Sequence, residues 1–184
     1  MLGCVTYMDH NEITLNEILR HTMHDYLNNM HLLQMNLDMG KTEEAKALIK
    51  KYSQKCNQFF DINNIGLYKT NEWLQTFSIK YNQLTLDVQT SLLNRKASMY
   101  DEALKDYLSR FVQAIYPHFR GYQEQFLKLH IISDEFLEIL IDIRGDWSNN
   151  KWRDELIEDL FQLEILEATN NSITVKLIAS GRLE

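Results

Sequence analysis

Residues 19–37 read LRHTMHDYLNNMHLLQMNL, and the spacing inside this stretch decides the fold of the first third of the chain. Leu19, Met23, Tyr26, Met30, Leu33 and Leu37 recur at intervals of four, three, four, three and four. An α-helix turns once in about 3.6 residues, so these side chains form one apolar seam of the kind helices present to each other in bundles. The pattern predicts a helix from about Thr14 to Met39. Gly40 stops it, because glycine takes the left-handed conformation that ends a helix.

Outward from that helix, Thr42 reads as an N-cap, with Glu43 and Glu44 placed to favour the helix dipole. The second helix is expected to run to about Asn63, with Ala45, Leu48, Tyr52, Phe59 and Ile62 on one face and Ile49 and Cys56 widening it. A connection of about three residues folds two such helices back antiparallel. A lone hairpin cannot cover both stripes. A two-fold homodimer whose hairpins make a four-helix bundle is expected, because both stripes have bundle-like spacing; docking onto the rest of the same chain is the alternative.

The polar side of the first helix carries His21, His24, Asn28 and His31, with Asp25 directly after His24. The bland reading is a set of solvated side chains. Metal binding by His21 and His24 lacks a third ligand, and triad hydrolysis lacks a Ser or Cys within one turn. Phosphoryl carriage on His24 fits better. A neutral imidazole is nucleophilic near neutral pH, and phosphoryl transfer asks mainly for positioning and charge stabilisation. Asp25 could orient the ring or accept its proton, and Asn28 could hydrogen-bond a phosphoryl oxygen or a water. On this reading the loss of His21 or His31 leaves most of the transfer intact.

The chain has 184 residues, is 45% hydrophobic and carries a formal charge of -7. That excludes disorder and argues against a general nucleic-acid partner, which needs a basic face. Cys4 and Cys56 form no CxxC, and no run approaches the roughly 18 apolar residues of a membrane span. A cytoplasmic protein is expected.

Past about residue 66 the periodicity changes, which divides the chain into domains 1–66 and 67–184. Leu84 to Val88 and Ile173 to Leu177 alternate as strands do, and Gln125–Ile132, Phe136–Ile143 and Phe161–Glu167 are further strand candidates. Asn170-Asn171 suits a turn between the last two. Helices are expected near Asn71–Phe77, Tyr100–Tyr116 and Trp152–Leu160, with Pro117 ending the second. The order predicts an α+β sandwich with a sheet covered on one face. No Gly-rich phosphate loop is present, and Asp142-Ile143-Arg144-Gly145-Asp146 reads as a strand end entering a turn. Trp147 and Trp152 are more naturally buried than exposed.

The H-D-aromatic-x-N segment on the first helix of a hairpin, followed by an α/β half, resembles the stage-zero sporulation phosphotransferase B family, phosphorelay proteins related to sensor histidine kinases. The resemblance implies a dimeric bundle on which His24 accepts the phosphoryl group, with Asp25 its acidic neighbour and Asn28 the amide one turn later. It implies response-regulator receiver domains as partners, and an α/β half derived from a kinase ATPase domain that has lost its nucleotide site. In agreement, the long helix lacks an Asn for magnesium, and Asp142 to Gly145 breaks the Asp-x-Gly-x-Gly loop. No cofactor is then expected on this chain, and magnesium would come from the receiver. Where the family motif continues with Lys and later Gln, this chain has Asn29 and His31, so a regulator's acidic face meets less positive charge.

Overall fold

A computed structural model describes residues 14–116, 125–145, 160–169 and 171–183. Helix α1 spans Leu15–Asp38 and α2 spans Thr42–Asn64. Thr14 caps α1 through a reciprocal box: its hydroxyl accepts from the Glu17 backbone at 3.2 Å, and Glu17 Oε2 accepts from the Thr14 backbone at 2.8 Å. These bonds to Thr14 hold the Glu17 carboxyl below the ordinary carboxylate range, with the Arg20 charge adding to the effect. At the other end, Gly40 has φ +70. Its N–H donates to Leu37 and that of Lys41 to Asn36, the two bonds of a Schellman motif. Thr42 is already helical and is not the cap that the sequence predicts. The Lys41 carbonyl accepts from Ala45, so the helix begins one residue earlier than a Thr42 cap allows.

The chain divides into two compact units inside α2, one ending at Ile49 and the other starting at Lys50. In the first unit no side chain of α1 is buried. Of the predicted seam, Met30 and Leu33 are half-buried, while Leu19, Met23, Tyr26 and Leu37 are exposed.

The second unit contains the C-terminal part of α2, then α3 (Tyr68–Lys80), β1 (Leu84–Leu93), α4 (Asp101–Ile115), β2 (Gln125–Ser133), β3 (Leu137–Arg144), β4 (Phe161–Ala168) and β5 (Ser172–Ala179). The strands form a mixed sheet in the order β1-β2-β3-β5-β4. β1 runs parallel to β2, and the remaining pairs are antiparallel. A helical N-terminal region followed by this sheet is the α+β arrangement the sequence predicts. Strict alternation sets the layers: Leu129, Ile131, Ile139, Ile141, Val175 and Leu177 are fully buried, while their neighbours on each strand are partly exposed. They share one core with Leu104, Leu108, Phe111 and Ile115 of α4 and Phe77 of α3. Tyr107 lies in it too, stacked on Phe111 at 6.3 Å, and burial pushes its phenol well above the usual range.

Three polar links tie the ends of the helices together. The Asp101 carboxylate accepts from the backbone N–H of Lys69 and Thr70, each at 2.8 Å, and so caps α3 from the first turn of α4. Asn71 Nδ2 donates to the Phe59 carbonyl and to Asn63 Oδ1, both at 2.9 Å. Gly66, at φ +87, closes a second Schellman motif through Gly66 N–H to Asn63 and Leu67 N–H to Ile62.

Each element differs from its predicted bounds by a few residues, with two larger changes. α3 is longer at both ends than Asn71–Phe77, and β1 continues past Val88 to Leu93. The predicted helix near Trp152, Pro117, Trp147, Cys4 and Asn170 lie outside the described residues. Cys56 is a free, exposed thiol.

Candidate phosphoacceptor site

Local helical geometry makes the site. Residues three and four apart share a side of α1, which groups His21 with His24 and Asp25, and Asn28 with the same two residues. The side chain of His24 is 72% exposed. Its Nδ1 meets two groups: Asn28 Nδ2 at 3.2 Å and Asp25 Oδ1 at 3.6 Å. The other carboxylate oxygen, Asp25 Oδ2, lies 3.5 Å from His21 Nδ1. One carboxylate therefore stands between two imidazoles.

The two groups at Nδ1 favour different tautomers. Asn28 donating to Nδ1 puts the proton of the neutral ring on Nε2. Asp25 favours a proton on Nδ1, which leaves the Nε2 lone pair free. Both neighbours meet the ring at Nδ1 rather than at Nε2. Thr22, the nearest hydroxyl along the helix, donates back to the Ile18 carbonyl at 2.8 Å and offers no nucleophile to His24. His31 is exposed and does not join the group. Of the residues singled out in the sequence, His24, Asp25 and Asn28 lie beside one another, and His21, which the sequence analysis gave no part in phosphoryl transfer, joins them through Asp25. The signal for it was the His-x-x-x-Asp spacing of His21 and Asp25.

Among the described residues, no cluster of three or more His, Cys, Asp or Glu could hold a metal ion. Among them, too, no helix is long and apolar enough to cross a membrane. In the second unit, Asp142 sits on the partly exposed face of β3, opposite the face that buries Ile139, Ile141 and Ile143 against the helices. The core face of α4 presents Leu104, Tyr107, Leu108, Phe111, Val112 and Ile115.

Residues 7–65 match the family model for the alpha-helical domain of SpoOB-type sensor kinases. That match agrees with the resemblance read from residues 19–37. No curated protein matches the sequence. Among solved structures, the catalytic domain of histidine kinase ThkA is 15% identical with a TM-score of 0.41, covering 65% of this chain and 91% of that one. A blue-light activated histidine kinase of Erythrobacter litoralis is 14% identical with a TM-score of 0.43, covering 91% of this chain and 61% of that one. ThkA solved in complex with response regulator protein TrrA is 11% identical with a TM-score of 0.38, over 90% of this chain and 62% of that one.

Proposed function

We propose that the protein is a histidine phosphotransferase of a multistep phosphorelay, exchanging a phosphoryl group between His24 and the aspartates of response-regulator receiver domains. The observation that carries this reading is the environment of His24: an exposed imidazole on the SpoOB-type segment, with Asp25 and Asn28 both at Nδ1. In the forward step the Nε2 lone pair attacks phosphorus. The P–O bond to the receiver aspartate breaks, and its electron pair leaves on that carboxylate. The ring keeps its Nδ1 proton and gains positive charge, which Asp25 faces and stabilises. The reverse step restores the acyl phosphate on a second receiver. Magnesium belongs to the receiver in this scheme, and the helical segment acts as a dimer in which a second copy covers the exposed seam.

The second unit is a scaffold in this reading, not a source of phosphate from ATP. The place of Asp142 on the partly exposed face of β3 supports that assignment, as does the mostly apolar core face of α4, on which Tyr107 and Asp101 are the buried polar residues and Asp101 caps α3.

The test is incubation with a phosphorylated receiver from the same genome, followed by assay for acid-labile, base-stable phosphate. Wild type is expected to take label, and His24→Gln to take none while its circular dichroism is unchanged. Label persisting on His24→Gln at the wild-type rate refutes the assignment. Wild type that binds receivers yet takes no label points instead to a sequestering protein, and label from Mg-ATP alone points to a kinase.

A further inference from the structure

His21 is the one member of the α1 group to which the phosphotransfer reading gives no task. Its Nδ1 lies 3.5 Å from Asp25 Oδ2, while Asp25 Oδ1 lies 3.6 Å from His24 Nδ1. Asp25 is about half exposed, and a carboxylate on an exposed helical face is free to swing about its χ angles into water. A second partner one turn back restricts that swing. His21 is also less exposed than His24, 42% against 72% for the side chains.

We propose that His21 is a positioning residue for phosphoryl acceptance, acting through Asp25. By engaging one carboxylate oxygen it keeps the other facing His24 Nδ1, against the opposing bond that Asn28 donates to that nitrogen. Without His21 the carboxylate turns to solvent, the Asn28 bond dominates, and the His24 proton settles on Nε2, where it blocks the attacking lone pair. This role rests on the phosphotransferase reading of His24, and it replaces the expectation that His21 is dispensable. The effect is modest, because an exposed pair of this kind changes a rate by up to about fivefold.

Two measurements test it. Rapid-quench transfer from a phosphorylated receiver separates the rate at saturation from the half-saturating concentration. His21→Leu is expected to lower the saturating rate about two- to fivefold and leave half-saturation unchanged. His21→Asn, whose amide nitrogen replaces Nδ1, is expected to recover most of the rate. His21→Gln, whose amide sits one bond farther out, recovers less. A wild-type rate in His21→Leu, a loss that Asn does not restore, or a change in half-saturation alone overturns the proposal. The second measurement needs no receiver: the imidazole 15N shifts of His24 are expected to move toward the Nε2–H tautomer in His21→Leu and back again in His21→Asn. Unchanged shifts refute the coupling. If wild type takes no label from any receiver, the phosphotransferase reading fails, and the 15N shifts still decide whether His21 governs the His24 ring.

Discussion

Asp101 acts on a helix that is not its own. Leu67, at the N-cap of α3, has no side-chain hydrogen bond to give, and the first-turn N–H donors of Lys69 and Thr70 are met by a carboxylate from the start of α4. Asp101→Ala leaves two donors without that acceptor, one of them on fully buried Thr70, and is expected to cost about 3 kcal/mol in urea unfolding. Asp101→Asn keeps one acceptor oxygen and is expected to cost less than half as much. A loss below about 1 kcal/mol for the alanine variant refutes the capping role. The contrast with His24 shows which residues a sequence discloses. His24, Asp25 and Asn28 fall within five consecutive positions, so helical geometry alone assembles them. The partners of Asp101 lie some thirty residues upstream, and nothing local marks it as anything but an acidic residue in a first turn.

At the scale of elements, the two glycine stops look alike in backbone but differ in surroundings. Both have positive φ and both close Schellman motifs. A Cβ built on Gly40 meets nothing within 4 Å, whereas one on Gly66 comes within 2.8 Å of the Ser98 Cβ. Gly40→Ala therefore carries only the left-handed penalty, about 1 kcal/mol. Gly66→Ala adds a clash and is expected to lose about 2 kcal/mol more, measured as a lower urea midpoint. Equal losses for the two variants would show that Ser98 gives way freely. Gly40 was legible because an apolar seam stops in front of it. The length of β1 was not legible, since Gln89, Thr90 and Ser91 interrupt the alternation that identifies Leu84–Val88. Pairing with β2 carries the strand on, through a bulge in which Leu92 takes φ 50.

For the whole molecule, the open question in the sequence was what covers the seam of α1. Leu19, Met23, Tyr26 and Leu37 are 49 to 57% exposed in the single chain, a row that water would otherwise wet. The proposed bundle dimer predicts that Met30→Asp, which puts an unpaired charge into the seam, weakens association by roughly 3 kcal/mol. Light scattering is expected to show a wild-type dimer at micromolar concentration and a monomer for Met30→Asp. A stable wild-type monomer rejects the bundle. The layering of the second unit could be read from periodicity alone, because burial on one face imposes alternation strand by strand. The order of the strands could not. Parallel pairing of β1 with β2 joins segments far apart in sequence, and no local pattern records it.

That parallel pair also bears on how the sheet assembles in time. β2 and β3 are joined through Asp134–Phe136, and β4 and β5 through Thr169–Asn171, so each pair closes a short loop. Leu84 finds Gln125 only across about 40 intervening residues, a stretch that contains all of α4. β1 should therefore join last and leave first, as an edge strand whose docking waits on its neighbours. Native-state hydrogen exchange is expected to show β1 amides opening at lower free energy than those of β2 and β3, with α4 lost in the same step.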